Sequence, residues 1–349
     1  MLMKIRFWGI VRVMLGLLVG LSLAQVSRAA TTGPSNNIGF SVSAQLPKNQ
    51  VNTAHTYFDL QLSSGQSQTL KAVIYNVTNR DIQVKTGIHT AYTNGNGVIE
   101  YVKPTTVFDP SLKLQIGQLT RVQGKSVVTV PANGTKVVTA QVKIPKTAFQ
   151  GTMLGGWYFE KLTEKVTSEV KGSMNVRNQY SYVIGMKYSL GKTPKPALKL
   201  GQVEPKVVNE HQAIVADLRN VSATINQNLS LTTTITSKAT GDVVKTVKKA
   251  SVQLAPNTVY HYPLLTGTSA LKSGHYQLKM IVKGQSQRWV LEKDFTITAS
   301  AAKKLAHQSV ENKGLNSIWL VVAGAVGMLV IGGLLAGLVF FLRKRRRDE

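Results

Sequence analysis

Residues 276–282 read Tyr-Gln-Leu-Lys-Met-Ile-Val, and apolar side chains recur there at every second position. On an extended backbone the four even-numbered side chains point to one face, and the odd-numbered ones, Lys279 among them, point to the other. A face of Tyr, Leu, Met and Val opposite a mixed face is typical of a half-buried antiparallel strand. The stretch therefore predicts a strand with one side in a core and the other in solvent.

Short runs of the same kind recur along most of the chain, and they are rich in β-branched and aromatic residues. Asn, Gly and Asp separate many of them, as in Asn94-Gly95-Asn96-Gly97, where residues that tolerate positive φ favour tight turns. The pattern predicts fourteen strands, at residues 57–62, 69–76, 82–91, 127–130, 136–144, 156–161, 180–188, 199–203, 213–218, 229–236, 243–247, 258–262, 276–282 and 289–297.

Fourteen short strands are too many for one ordinary sheet, so two sandwiches are the more economical arrangement. The sequence predicts an all-β fold of two immunoglobulin-like β-sandwich domains, followed by one C-terminal transmembrane helix. Each half contains one tryptophan in an apolar run, Trp157 or Trp289, which we expect to anchor its core. Two polar stretches without periodicity, residues 163–173 and 191–196, both suit the linker, and composition leaves the choice open.

Both ends of the chain have the composition of targeting segments. Residues 1–29 combine basic residues with an apolar run and small residues before position 30, as a cleaved signal peptide does. Residues 318–342 carry no charge, exceed the roughly 20 residues that span a bilayer as a helix, and precede a basic tail, 343–349. We expect a single-pass cell-membrane protein with its N-terminus outside, its C-terminus cytoplasmic, and a polar stalk at 299–317.

The chain has 349 residues, 42 Lys and Arg, 16 Asp and Glu and no cysteine, which gives a formal net charge of +26. The lack of cysteine excludes disulfide frameworks, cysteine proteases and cysteine-ligated zinc sites. The positive charge suits attraction to the anionic polymers of a bacterial wall. Lysines that only maintain solubility would also account for it, and the sequence does not decide between the two. Export removes nucleic acid as a partner.

Sequence motifs for catalysis are absent. Six histidines are scattered without the spacing of a zinc site, and there is no nucleophile elbow, phosphate-binding loop or calcium loop. The sequence therefore predicts no enzyme activity, no metal and no cofactor. A cell-wall or polysaccharide-processing enzyme whose site assembles only in three dimensions is the alternative.

Several weak motifs occur in one order along the chain. They are Phe40-Ser41-Val42, Leu46-Pro47-Lys48-Asn49-Gln50, Tyr57-Phe58-Asp59-Leu60, the stretch from Asn94 to Tyr101, Gly155-Gly156-Trp157-Tyr158-Phe159 and residues 180–186. In this order and spacing they resemble the WxL-interacting proteins of Gram-positive bacteria. The resemblance covers nearly all of the chain between the two terminal segments.

The resemblance implies that a first domain, residues 38–162, binds peptidoglycan and that a second, residues 171–298, binds host or extracellular-matrix components. It places the boundary near residues 165–171 and implies association with WxL-domain surface proteins. An open sheet edge that accepts a strand from such a partner is a further hypothesis, although the sequence does not identify the strand.

Residue-level ligand contacts are predicted from side-chain chemistry, since exposed amides and aromatic rings suit sugar and peptide binding. The predicted contacts are Asn49, Gln50, Tyr57, Asn94, Asn96 and Tyr101. For residues 94–97 turn formation is the competing role, and the one that we favour.

Overall fold

The computed structural model describes residues 38–147, 149–162, 179–267, 272–309 and 317–345. The predicted signal peptide and residues 346–349 of the predicted tail lie outside these ranges. All the elements below belong to one compact unit that begins at Phe40. Each of the fourteen predicted strands corresponds to a strand of the structure, although several are longer than predicted.

The first sandwich contains two mainly antiparallel sheets, and a short hairpin and one helical turn lie in the connections between their strands. Its first sheet has the order β1-β3-β9-β7 and its second the order β2-β11-β10-β4-β8. The elements are β1 (Phe40–Gln45), β2 (Phe58–Leu62), β3 (Ser67–Asn76), β4 (Ile82–Thr90), β5 (Tyr92–Thr93), β6 (Ile99–Glu100), α1 (Ile116–Leu119), β7 (Thr120–Val122), β8 (Val127–Val130), β9 (Thr135–Lys143), β10 (Gly151–Lys161) and β11 (Ser181–Leu190).

Aromatic side chains fill the space between these two sheets. Trp157 is fully buried, stacks with Phe159 at 5.4 Å between ring centroids, and donates its indole N–H to Thr86 Oγ1 at 2.7 Å. A buried tryptophan needs such an acceptor, because an unpaired N–H in a core is costly. The prediction that Trp157 anchors a core is confirmed.

Strand β11 is placed differently from the expectation. The resemblance assigns residues 171–298 to the second sandwich, but β11 pairs along its whole length with β10 and, in parallel, with β2. It thereby completes a sheet of the first sandwich. The polar stretch 191–196, one of the two linkers that composition allows, connects the sandwiches in the structure, because β12 is the first strand of the second one.

The second sandwich has a three-stranded sheet, β12-β13-β16, and a four-stranded sheet, β15-β14-β17-β18. The strands are β12 (Leu198–Val208), β13 (His211–Asn220), β14 (Asn226–Ser237), β15 (Val243–Leu254), β16 (Thr258–Leu265), β17 (Gly274–Lys283) and β18 (Arg288–Ile297). The even-numbered side chains of residues 276–282 are all buried, as the alternation predicts. Trp289 is only partly buried and packs against the outside of this core.

The predicted stalk is wrong for its first half. Residues Ala299–Gln308 form helix α2, whose N-cap, Thr298, accepts the backbone N–H of Ala301 at 3.1 Å. Leu305 is 5% exposed and Ala302 packs beside it, so the helix closes one part of the second core. Their three-residue spacing puts both side chains on one helical face, a signal that the polar composition of the stretch hides.

Helix α3 (Ser317–Arg345) contains the residues predicted as a transmembrane segment. Among the described residues, however, no helix has both the length and the apolar character that crossing a membrane requires. The transmembrane segment thus stays a prediction.

Candidate functional site

A groove of 930 Å³ lies beside β11, where the second sheet of the first sandwich is incomplete. Strand β11 pairs with β10 from Ser181 to Leu190, but with β2 only from Met186 onward. No described strand pairs with residues 181–185 on that side. These five residues are therefore a strand edge without a described partner on that side, and residues 182–185 form the floor of the groove.

The backbone direction of β11 follows from one hydrogen bond. The N–H of Lys161 on β10 donates to the carbonyl of Tyr180 at 3.1 Å. Because bonded pairs alternate along an antiparallel ladder, Tyr182 and Ile184 also bond toward β10. Residues Ser181, Val183 and Gly185 consequently direct their N–H and C=O groups away from β10, and Val183 and Gly185 line the groove on that side.

The inner wall of the groove is apolar and joins the two sheets. It is made by Tyr182, Ile184 and Met186 of β11 with residues of β1 and the turn that follows, Val42, Ala44 and Leu46. Phe40 and Tyr182 meet edge to face with 5.0 Å between ring centroids. Aromatic contacts of this geometry fix the separation of the two strands.

The outer wall carries two tyrosine rings, both of which were predicted ligand contacts. Tyr101 lies directly over Gly156, where an added Cβ would stand 3.0 Å from the Tyr101 Cβ and 2.9 Å from Val183. Only glycine permits this approach. Tyr57 covers Gly185 and stacks on the ring of His55 at 4.7 Å. Burial, with a smaller contribution from Tyr57, raises the pKa of Tyr101 to about 12, so its hydroxyl stays protonated at neutral pH.

A buried carboxylate holds the base of the outer wall. Asp59 is 2% exposed, and its oxygens lie 3.1 Å from Lys187 Nζ and 3.0 Å from His55 Nδ1. A buried carboxylate without such partners would be strongly destabilising. Asp59 therefore fixes the side chains of both residues at the groove, with Lys187 about one-third exposed.

The predicted contacts Asn49 and Gln50 are engaged in supporting this wall. Gln50 donates to the carbonyl of Tyr57 at 2.8 Å and accepts the N–H of Asp59 at 3.2 Å. Asn49 donates to the carbonyl of Gln61 and exchanges hydrogen bonds with the Gln68 amide. Both amides position the segment that carries Tyr57, and their polar atoms already have protein partners.

The predicted contacts Asn94 and Asn96 lie in a turn. The Asn94 side chain accepts the N–H groups of Asn96 and Val98, at 2.9 and 3.3 Å. Gly97, at φ +74°, packs on Tyr260 of the second sandwich, and its carbonyl accepts the N–H of Gln253 at 2.8 Å. Residues 94–97 thus form the turn that the sequence analysis favours, and the structure adds that this turn is part of the contact between the sandwiches.

An ion pair and a small core complete that contact. Arg219 of β13 donates to both oxygens of Asp109 at 2.6 and 3.0 Å, and Asp109 is 1% exposed. Burial raises the pKa of Asp109, but hydrogen bonds from Arg219 and Ser111 outweigh it and hold the pKa below its ordinary value. Ala91, Ile99, Leu154 and Ala255 pack together beside it. The second sandwich in turn supplies Ile225 and Gln227 to the groove.

Within the described residues, no group of three or more His, Asp or Glu side chains is arranged to hold a metal ion. The groove thus offers three kinds of interaction: main-chain hydrogen bonding along a strand edge, apolar contact, and contact with tyrosine faces. Of the six predicted contacts, Tyr57 and Tyr101 line the groove, while their role in binding stays a prediction, and the sequence analysis did not identify the edge of β11. Gly185 inside a strand pattern was the available signal, since an isolated glycine there marks a close approach.

Two family models match the chain. One, described as "WxL Interacting Protein, peptidoglycan binding domain", matches residues 40–161, and the other, described as "WxL Interacting Protein, host binding domain", matches residues 171–307. Among solved structures, the E. coli chaperone DraB is 16% identical at a TM-score of 0.28, covering 74% of this chain and 97% of that chain. The Pseudomonas aeruginosa CupB2 chaperone is 12% identical at a TM-score of 0.24, covering 68% and 97%. No curated protein matches the chain.

Proposed function

The chain belongs to the WxL-interacting protein family, as its sequence motifs predicted, and we propose that it acts as a non-enzymatic surface adaptor. In this proposal the first sandwich binds peptidoglycan, while the second binds host extracellular-matrix components and WxL-domain proteins associate with the whole. The observation that carries it is the pair of family matches, which together cover both sandwiches.

The contact between the sandwiches supports an adaptor role. A bidentate ion pair between the buried Asp109 and the partly exposed Arg219, together with a shared apolar cluster, connects the two domains. An adaptor binds the wall with one domain and a partner with the other. Direct contacts between the domains suit this role, because a pulling force on one domain is transmitted to the other without stretching the linker. A flexible tether would require none of these contacts.

We further propose that the protein is anchored in the cell membrane, with its N-terminus outside and its sandwiches on the wall side. Support comes from the sequence: the uncharged run 318–342, the basic residues after it and the signal-like residues 1–29. Extraction of bacterial membranes tests this. An anchored protein stays with the membrane in high salt and alkaline carbonate and is released by detergent, whereas release by salt alone contradicts the anchor.

Wall binding is tested by sedimentation of the protein with purified sacculi at low and high salt. At about 0.5 M salt the screening length falls to roughly 4 Å, so attraction through net charge alone is lost. Because β11 belongs to the first sandwich, the fragment compared with the whole must run from 38 to 196 rather than end at 162. We expect this fragment to sediment at both salt concentrations and a fragment from 197 to 309 to be released at high salt.

The same incubation addresses the rival function, a wall-processing enzyme. Binding without new reducing ends or free amines supports the adaptor. Release of wall fragments above the level of a heat-denatured control would overturn it. Equal, salt-sensitive sedimentation of both fragments would mean that the wall contact is electrostatic and that the proposed division of roles is wrong.

A further inference from the structure

We infer that the groove is a strand-acceptor site: an extended segment of a partner protein adds to the edge of β11 at Ser181, Val183 and Gly185. The segment that fits has apolar side chains at alternate positions and acidic side chains between them. The inference rests on the proposed adaptor function for the existence of a protein partner, and it names the surface and the chemistry that capture that partner.

The main chain gives the first argument. Three residues in succession on one side of β11 present an N–H and a C=O that no described strand uses. Proteins ordinarily cover or shorten such an edge, because it is a template for pairing with another chain. Here β2 covers only Met186 to Leu190, so the first half of the edge, residues 181–185, is left open beside a groove that a strand can enter.

The walls give the second argument, since they suit the two faces of a strand. Tyr182 of β11 is partly exposed, as are Val42, Ala44 and Leu46 of the inner wall, and a neighbouring strand places every second side chain against that apolar surface. On the other face, Gly185 has no side chain and leaves space beneath Tyr57. A glycan has neither the backbone donors and acceptors at strand spacing nor the alternating apolar groups that these walls match.

Charge gives the third argument and selects the partner. None of the described residues that line the groove is acidic, and Lys187 lies in it with its ammonium group paired only to Asp59, which is buried beneath the wall. Lys187 forms an ion pair with Asp59 at 3.1 Å, and its side chain is 29% exposed, so its ammonium group is still accessible to a second carboxylate. A second copy of this chain would bring another Lys187 to the same edge, so self-pairing is disfavoured by like-charge repulsion.

The test uses the full-length protein in detergent micelles and three synthetic peptides with blocked ends. The first is Val-Glu-Val-Thr-Val-Glu-Val, the second replaces Glu by Lys, and the third carries N-methyl groups along one hydrogen-bonding edge. Amide hydrogen exchange at single-residue resolution reports binding. We expect the Glu peptide to protect Val183 and Gly185, the Lys peptide to bind about tenfold more weakly, and the N-methylated peptide to protect neither.

A matched pair of variants sharpens the result. Val183→Pro removes one edge donor without touching the ladder to β10, and proline is tolerated on edge strands. Val183→Ala shortens the same side chain and keeps the donor. We expect the Glu peptide to bind Val183→Pro at least about tenfold more weakly and Val183→Ala within about threefold of the unaltered protein. If Val183→Pro fails to fold, the N-methylated peptide still decides.

Three outcomes would overturn the inference: unchanged exchange of Val183 and Gly185 with the Glu peptide at about 1 mM, equal binding of the N-methylated peptide, or protection of these amides only by soluble muropeptides or by a second copy. Sedimentation of Val183→Pro with sacculi separates this inference from wall binding. Retained sedimentation is expected, and loss of it would place wall recognition in the groove instead. Failure of the unaltered protein to sediment would contradict the proposed function alone.

Discussion

Two segments of the first sandwich have similar amino-acid compositions but different structural roles. Residues 47–57 and residues 94–101 both combine amides, turn residues and a tyrosine, and both were predicted to contact ligand for that reason. The first segment supports the groove, with Gln50 and Asn49 holding Tyr57 in place. In the second, residues 94–97 form a turn whose Gly97 packs against the other sandwich, and only Tyr101, beyond the turn, reaches the groove.

The difference shows what decides whether an amide-rich loop is a binding surface. Side-chain composition is the same in both, but the sheet beneath the first segment ends early and leaves an open edge, while the second meets Tyr260 and Gln253 of another domain. Substitutions at 94–97 should therefore alter the contact between the domains, whereas substitutions at 47–57 should alter the groove.

The largest effect is expected at the ion pair that completes the interdomain contact. Arg219→Ala leaves the buried Asp109 carboxylate without its main partner, which should lower the free energy of unfolding by about 3 kcal/mol. Urea unfolding followed by fluorescence measures it, and separation into two transitions is expected as the domains uncouple. Arg121→Ala, which removes an exposed arginine on β7, is the matched control and should change stability by less than about 0.5 kcal/mol.

Acid should reproduce part of that loss in the unaltered protein. The pKa of Asp109 is held below its ordinary value, so its contribution is present above the unfolded-state pKa of about 4 and is lost as the pH falls further. Between about pH 5 and pH 2 the difference in stability between the unaltered protein and Arg219→Ala should shrink. A difference that stays constant over this range would mean that the pair does not stabilise the contact.

A smaller effect is expected within the turn at 94–97. Gly97→Ala places a side chain at φ +74° and brings its Cβ to 3.2 Å from Tyr260, which should cost about 2 kcal/mol of stability. Gly95→Ala, in the same turn, meets no atom within 4 Å and should be nearly neutral. Equal effects of the two substitutions in thermal unfolding would show that the turn, rather than its contact with the second sandwich, sets the cost.

Gln50→Ala should act on the groove with a still smaller loss of stability. It removes the two hydrogen bonds to the backbone of Tyr57 and Asp59, worth about 1 kcal/mol net. Binding of the Val-Glu peptide should weaken while the interdomain contact, read from a single unfolding transition, stays intact. Gln61→Ala, which truncates an exposed side chain on β2, should change neither quantity.

The sequence predicted the strands well because alternation is a local property. Along residues 276–282, every second side chain is buried, as the position of the apolar residues in the sequence predicts. Trp157 is also buried, as its apolar run indicates. Helix α2 was missed because its apolar positions, Ala302 and Leu305, are few and stand among lysines. Its burial depends on a sandwich surface that lies far away in the sequence.

The site was harder to predict, for a reason that β11 makes plain. The sequence of residues 181–190 predicts a strand, but which strands pair with it depends on the whole fold. In the structure these residues pair with strands of the first sandwich. The open edge exists because β2 is only five residues long. Neither the length of a neighbour nor the partner of a loop such as 94–101 can be obtained from local periodicity.

The mildest test of the comparison needs no substitution, because the two halves of β11 differ in the same molecule. In the unliganded protein, the amides of Ser181, Val183 and Gly185 point away from β10, whereas those of Tyr182 and Ile184 bond to β10. Exchange should alternate along 181–185, faster at odd positions. Along 186–190 both sides of the strand are paired, so odd and even amides should be protected alike. Uniform protection across 181–185 would mean that this edge is already covered in the free protein. The groove could then not accept a strand, whereas the contact between the turn at 94–97 and the second sandwich would be unaffected.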